Sequence, residues 1–253
     1  MNPTFIGLEL RRVIRDVPAM FFIVVLPAFF YLVFGAGQDY SDQPAGNGNV
    51  AMYVLIAMAG YGAATATTGI GGFAAVERLQ GWGRQLGLTP VRDRQLVAAK
   101  TVVALALGVL PICVVFALGP ATGAEADPGV WLLSGLALAA GAVVWSLYGL
   151  CFGLAFRSEA AVSIGSGVLV VLAFLGNIFI PLSGTLLTIA KFTPLYGYVG
   201  LARHPLTDGV NVDGSGRQLA AEPLWVPVAN VTAWTVVFAL VATWLIRRGR
   251  SRQ

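Results

Sequence analysis

The sequence is poor in charge. Only 11% of its 253 residues are Asp, Glu, Lys or Arg, against roughly 25% in an ordinary soluble domain. Hydrophobic residues make up 57% of the chain, and several apolar runs reach the roughly 20 residues needed to cross the hydrocarbon core of a bilayer. The composition therefore excludes a soluble globular domain and predicts an all-α polytopic membrane protein.

Side chains that carry out bond-making chemistry are also scarce. The only histidine is His204, and the two cysteines, Cys113 and Cys151, both fall within apolar runs. We expect the cysteines to be small buried hydrophobes and predict no disulfide framework. The one cluster that could serve a membrane-embedded, lipid-modifying enzyme combines His204 with Asp208 and Asp213, in a glycine-rich stretch. Nothing in this pattern distinguishes the cluster from an ordinary polar loop. We therefore predict no catalytic residue and no metal site, and keep a lipid-modifying membrane enzyme as a minor alternative.

A nucleotide-binding loop is missing as well. Lys100-Thr101 is preceded by Ala99, whereas a P-loop has glycine before its lysine. Essentially no charged residue lies well inside the predicted spans, although such residues mark ion paths and proton relays. If the protein moves a solute uphill, we expect the energy to come from outside this chain, which itself binds no cofactor.

Six long apolar segments organise the chain as a single transmembrane domain over residues 1–253. An amphipathic segment at 4–17 precedes them and is suited to lying in the headgroup layer. Between the last two spans, the predicted extracytoplasmic segment 181–224 holds two apolar stretches that Pro181, Pro194 and Pro205 interrupt. Both stretches are too short to cross, which favours interfacial or re-entrant helices. The predicted spans are 18–36, 50–76, 100–119, 130–156, 160–180 and 225–246.

Glycine is abundant, with 31 residues. Small residues let helix backbones approach closely in lipid, and Gly149 and Gly153 have the small-xxx-small spacing. The second span also combines glycines with three threonines, which suits either tight packing or a polar pathway, and packing is the more common use. The candidate pathway residues are Thr65, Thr67, Thr68 and Asn177.

The basic residues are distributed unevenly along the chain. Thirteen of the 16 lie in the N-terminal segment, in 77–100, in 157–159 and in the C-terminal segment. Acidic residues divide the other way, five with these segments and seven opposite. Because Lys and Arg concentrate in cytoplasmic loops, we predict a multi-pass protein of the cell membrane with both termini in the cytoplasm.

The segment 77–99, extended to Lys100, is strongly basic, with five basic residues against two acidic ones. Trp82 and Leu86 lie among its basic residues, so it is more than a solvated linker. Thr89-Pro90 is typical of a helix start, with Thr at the cap and Pro at the first helical position. Two interpretations remain open here: a short amphipathic element that presses on a partner, or an ordinary loop whose arginines only fix the topology.

The residues of this segment resemble a known family. The matching positions are Glu77, Arg78, Gly81, Leu86, Thr89, Pro90, Val91 and Lys100, together with Ile180-Pro181 and Phe192-Thr193-Pro194-Leu195-Tyr196 further along. Their order resembles the permease subunits of ABC exporters of the ABC-2 type. Such permeases have an interfacial N-terminal helix, six spans and a cytoplasmic coupling helix after the second span. Trp82 departs from the pattern, because a small hydroxyl residue usually follows the glycine.

The resemblance implies a transport permease and not an enzyme. It implies that two permease subunits, either two copies or a paralogous pair, work with two ABC ATPase subunits that hold ATP and Mg. We expect a hydrophobic or amphipathic cargo, an antibiotic or drug first and a lipid or glycolipid second. A non-transporting scaffold is a further alternative, and no nucleic-acid partner is expected. The residues assigned to ATPase coupling are Glu77, Arg78, Trp82, Arg84, Leu86, Leu88 and Pro90.

Overall fold

Helices form nearly all of the computed structural model, which describes residues 3–79, 93–156, 158–211 and 218–250 and contains no strand within them. Five of the helices, α2 to α5 and α9, are long and apolar enough to cross a membrane. The prediction of an all-α polytopic membrane protein is therefore confirmed. The helices are α1 (Pro3–Ile14), α2 (Val17–Ala36), α3 (Val50–Leu79), α4 (Asp93–Leu118), α5 (Pro128–Phe156), α6 (Glu159–Leu175), α7 (Gly184–Ala190), α8 (Pro194–Thr207) and α9 (Trp225–Arg250).

The helix of the predicted fifth span, α6, is shorter than expected. It ends at Leu175 after 17 residues, a length of about 25 Å, whereas the apolar run suggested an end near residue 180. The helix stops because Asn177 has a φ of 61°, a left-handed conformation through which a right-handed helix cannot continue. The chain then runs without regular structure from Gly176 to Ser183, and we call this stretch the α6–α7 connection.

Two of the prolines expected to interrupt the segment 181–224 instead belong to α8. Pro194 stands at the start of the helix, after Thr193, whose hydroxyl accepts a hydrogen bond from the Tyr196 N–H at 3.4 Å. Pro205 lies inside the last turn, where the helix ends two residues later at Thr207. Pro205 has no N–H to donate to the carbonyl of Leu201, one turn back, but the helix continues for two residues beyond it. The expectation of a break at Pro205 was therefore wrong, and a helix of 14 residues forms.

The first span, α2, is not a uniform α-helix. Segments with π-helical hydrogen bonding, Phe21–Val25 and Leu32–Ala36, flank the α-helical stretch Leu26–Tyr31. Pro27 lies in that stretch and has no N–H to donate to the preceding turn. Asp16 caps the beginning of α2 by accepting a hydrogen bond from the Ala19 N–H at 3.2 Å.

The centre of the molecule is α3, which contacts α2, α4, α5, α6 and α8. Its tightest contact is with α5, where glycines let the two backbones meet. A methyl group at Gly71 would overlap the carbonyl oxygen of Ser146, and one at Gly149 would overlap that of Thr68. The close approach predicted from the spacing of Gly149 and Gly153 is thus confirmed, and we call this contact the α3–α5 seam.

The bundle has two chemically different ends. The end that carries α1 and the last turns of α3 and α9 is here called the terminal end. At the opposite loop end, the stretch 37–49 is held by polar contacts. Asn49 donates to the Gly123 carbonyl at 2.7 Å and accepts from the N–H groups of Met52 and Glu125 at 3.0 and 3.1 Å. One side chain therefore caps α3 and fixes the connection to α5.

Candidate coupling and transport sites

Three helices meet at the base of the predicted coupling loop. Glu77 lies near the end of α3, and its Oε1 is 3.2 Å from Nη1 of Arg12, in the last turn of α1. The Glu77 side chain is 19% exposed and that of Arg12 is 68% exposed. Because α1 also contacts α4, the interfacial helix touches both helices that flank the loop. Arg12 was not predicted as part of this site, because its only signal in the sequence is its place on the polar side of an amphipathic helix.

The remaining coupling residues fall mostly outside the described part of the chain. Arg78 belongs to α3, but its side chain is not described. Residues 80–92 are not described either, and α4 is described from Asp93 onward. The coupling assignments that lie within that gap are Trp82, Arg84, Leu86, Leu88 and Pro90.

The three candidate pathway threonines bind backbone carbonyls. Thr65 donates to Tyr61 O at 2.9 Å, and Thr67 donates to Ala63 O at 2.8 Å, both one turn back in α3. Thr68, which is fully buried, donates across the α3–α5 seam to Trp145 O at 3.3 Å. Such hydrogen bonds satisfy hydroxyl groups in an apolar setting. In this arrangement the threonines pack α3, and Thr68 also bonds it to α5.

Asn177, the fourth pathway candidate, organises the end of α6. It is 4% exposed, and its Oδ1 accepts a hydrogen bond from the Leu182 N–H at 2.7 Å. Its backbone carbonyl accepts from Nη1 of Arg203 at 3.0 Å. The structure thus brings Asn177 together with Arg203 on α8, while the threonines hydrogen-bond elsewhere along α3.

Arg203 is a buried cation that sequence analysis missed. It is 4% exposed, Nε donates to Tyr53 O at 3.2 Å, and the guanidinium carbon lies 3.6 Å from the centre of the Tyr53 ring. The signal was present: in a helix through Pro205, Leu195, Val199 and Arg203 recur every four residues, which places Arg203 on the apolar face. The apolar stretch 194–202 was expected to end before Arg203, so this spacing was not recognised.

The residues considered for a lipid-modifying enzyme form no catalytic constellation in the described part of the chain. Asp208 accepts a hydrogen bond from Asn47 Nδ2 at 3.2 Å, and its N–H bonds the carbonyl of His204 at 2.9 Å. Both contacts close the turn after α8. Asp213 lies outside the described residues, and within them no group of three potential metal ligands occurs.

A polar cavity opens at the loop end. Its volume is about 610 Å³, and none of the predicted pathway residues lines it. Its walls include the carboxylates of Asp42, Glu125 and Asp127 and the amide of Asn47. The cavity follows from the way the loops 37–49 and 119–127 meet, and its polar walls do not suit an apolar cargo.

Comparisons with known proteins agree with this architecture. The model of the ABC-2 family transporter protein matches residues 38–247, which include every helix except α1 and α2. The chain is also 25% identical over 246 residues to "Putative transport permease YvfS" of Bacillus subtilis (strain 168), a match that covers 95% of this chain and 94% of that protein. The matched region contains α3, the loop that follows it, and the whole segment around Arg203. The chain therefore belongs to the ABC-2 transporter family and is a membrane-spanning subunit of an ABC transporter.

Proposed function

We propose that this chain is the permease of an exporter that moves a hydrophobic or amphipathic small molecule, an antibiotic or drug, out across the cytoplasmic membrane. Two permease chains work with a separate ATPase subunit, which hydrolyses ATP with Mg and binds the loop 77–99. The observation that carries the proposal is the family match over residues 38–247. The position of α3 supports it, because this helix joins the coupling loop to the loop end.

The length and the contacts of α3 suit a helix that transmits motion from one end of the bundle to the other. The helix has 30 residues, about 45 Å at 1.5 Å per residue. Glu77 stands at one end beside Arg12, and Asn49 caps the other end. The seam with α5 fixes the middle, since the two backbones touch. A push on the coupling loop is therefore transmitted along a stiff, well-packed helix to the loop end. There, two packings of the bundle can differ in whether the transport path is open at that end.

The distribution of charge supports a cargo without strong charge. Among the described residues, Arg203 is the only buried charged side chain, and the threonines of α3 bind backbone. Buried carboxylates and histidines, which serve proton relays in other carriers, are not found in this part of the chain. ATP hydrolysis by the partner then supplies the driving force, with Trp82, Leu86 and Leu88 as apolar anchors in the ATPase and Arg78 and Arg84 at the rim.

The test is to purify the chain together with its ATPase subunit and to measure ATP hydrolysis and drug uptake in inverted membrane vesicles. We expect a stable complex whose hydrolysis rises with the transported drug. Trp82→Ala combined with Arg84→Glu should leave hydrolysis by the ATPase subunit intact and abolish drug-dependent stimulation. Lipid export would instead appear as lipid-stimulated hydrolysis with no drug uptake.

The matched control is Arg247→Glu. Arg247 is exposed near the end of α9, on the same predicted side but away from the loop, so its charge reversal should preserve coupling. A chain that binds no ATPase subunit contradicts the proposal. Full coupling in the Trp82/Arg84 double variant would contradict the assignment of the loop.

A further inference from the structure

Arg203 has an unusual environment for a charged residue. Its contacts are two backbone carbonyls, of Tyr53 and Asn177, and the face of the Tyr53 ring. No carboxylate pairs with it among the described residues. Burial lowers the pKa of Arg203 below its ordinary value, and the neighbouring Tyr53 and Tyr196 oppose that shift. The charge is thus held by dipoles and a π-face rather than by a counter-ion.

The carbonyl of Asn177 needs such a donor. It lies past the end of α6, where no further helical turn supplies an N–H. Asn177 is buried, and a buried backbone carbonyl must find its hydrogen-bond partner within the protein. Arg203 satisfies this carbonyl from α8, while Nε of the same side chain bonds α3. One guanidinium therefore joins the α6–α7 connection to two helices at once.

The α6–α7 connection is packed against the rest of the bundle by one aromatic ring. Phe179 contacts Phe30 of α2, Tyr61 of α3 and Phe174 of α6, with ring centres 5.4, 5.4 and 4.9 Å away. The connection thus closes the space between the first span and the central helix near the loop end. Its regular backbone hydrogen bonds are few, since the stretch 176–183 forms no helix. Side-chain contacts decide its position.

We propose that Arg203 is a positioning residue that latches the α6–α7 connection onto α3, and that release of this latch separates α6 from α3 at the loop end during transport. A buried guanidinium bound only by neutral groups suits a reversible latch, because water can replace the carbonyls when the loop end opens. The latch rests on the contacts described here. Its part in transport rests on the proposed function.

The latch can be tested on the full-length chain in nanodiscs without any ATPase subunit. Ile178, which is 4% exposed and follows Asn177 directly, is replaced by cysteine as a reporter. Cys113 is exposed and is replaced by alanine, whereas the buried Cys151 is kept as an internal standard far from the latch. In this background Arg203→Met should raise the rate at which a maleimide labels the reporter by about tenfold, because charge-assisted hydrogen bonds are lost.

Two further variants separate a latch from a general structural role. Arg203→Lys retains the charge and a hydrogen-bond donor, so the labelling rate of the reporter should stay within about threefold of the rate in the parent protein. Lys191→Met removes the partly buried ion pair between Lys191 and Glu222 on the same segment and should leave the rate unchanged. Labelling of the reporter at the parent rate in Arg203→Met would overturn the latch. Equal acceleration at Cys151 would also overturn it, as it would report loosening of the whole bundle.

The role in transport is measured in the complex with the ATPase subunit. Arg203→Met should lower the amount of cargo moved per ATP hydrolysed, and Arg203→Lys should restore most of it. If Arg203→Met leaves the amount of cargo moved per ATP unchanged although the cysteine reporter is labelled faster, the role in transport is overturned and the latch stands. A parent complex that transports nothing, with the reporter still released by Arg203→Met, would refute the proposed function alone.

Discussion

The central helix α3 and the peripheral helix α9 show how little apolarity says about position in this bundle. In the most apolar stretch of α3, 78% of the residues are buried, against 6% in α9 and 17% in α2. Yet α3 has the lowest mean hydropathy of the five helices that can cross a membrane. The most buried of these five helices is therefore the least apolar of them. In lipid, apolar surface gains nothing by leaving the solvent, so packing decides which helix lies inside.

The chemistry of the two helices explains the difference. α3 carries glycines, alanines and threonines, which permit the backbone contact with α5 and the hydrogen bond from Thr68. α9 exposes large side chains such as Leu240 and Trp244, which face lipid at no cost. The comparison therefore separates two properties of a span: hydropathy determines whether it crosses, and residue size determines where it lies.

The largest effect is expected at the α3–α5 seam. Gly71→Ala places a methyl group on the carbonyl oxygen of Ser146, and such overpacking typically costs about 1–3 kcal/mol. Gly69→Ala is the matched control, because a methyl group there meets nothing within 4 Å. Thermal unfolding of the purified chain should show a clear loss of stability for Gly71→Ala and no loss for Gly69→Ala. Equal stability of the two variants would contradict the seam.

At the loop end, Asn49→Ala should cost about 1–3 kcal/mol of unfolding free energy. The reason is that the variant leaves the Gly123 carbonyl and two N–H groups without their partner in a buried site. Asn47→Ala removes a comparable amide from an exposed position and should cost less. Denaturant unfolding of both variants checks this order. A larger loss for Asn47→Ala would show that exposed loop contacts hold this end together.

For the peripheral helix, Trp234→Phe should have a smaller effect. Trp234 Nε1 donates to Phe192 O at 2.9 Å, one of the few polar contacts between α9 and the turn before α8. Its loss should cost about 0.5–1.5 kcal/mol. Trp244→Phe, in an exposed position of the same helix, should be neutral in the same thermal assay. A neutral Trp234→Phe would mean that α9 is held by apolar contact alone.

The smallest effect on stability belongs to the terminal end. Arg12→Glu breaks an exposed ion pair, which is worth about 0.2–1 kcal/mol, but it also places like charges at the base of the coupling loop. We expect near-parent stability together with weaker drug-stimulated ATP hydrolysis in the complex. Glu77→Arg added to Arg12→Glu should restore part of the stimulation. No recovery in the exchanged pair would show that Arg12 does not act through Glu77.

The sequence was sufficient for the all-α polytopic class, because length and apolarity decide what can cross a bilayer, and five of the six predicted segments form helices long enough to do so. The close approach of α3 and α5 was also predictable from Gly149 and Gly153, since small residues at that spacing have one main use in lipid. The short α6 was not predictable in the same way. Its end depends on the left-handed Asn177, and that conformation is supported by hydrogen bonds with Leu182 and Arg203, which lie 5 and 26 residues further along the chain.

The candidate site was predictable only in part. The chemistry of the coupling loop and its resemblance to a family indicated Glu77, and the ion pair with Arg12 required the packing of α1 beside α3. A threonine at position 68 is compatible with either helix packing or a polar pathway. Only its hydrogen bond to Trp145 O favours packing in this arrangement. Arg203 was not predicted because the apolar stretch 194–202 was expected to end before it, whereas α8 runs from Pro194 to Thr207.

The brevity of α6 has a consequence for the membrane itself. The helix α6, at about 25 Å, lies beside α3 and α5, which have 30 and 29 residues and are longer than the roughly 30 Å thickness of the hydrocarbon layer. A bilayer adapts to a short segment by thinning around it. We therefore expect headgroups and water to come closer to the midplane along the α6 flank than along α9. An amphipathic molecule in the adjacent leaflet meets the protein there across the shortest stretch of hydrocarbon.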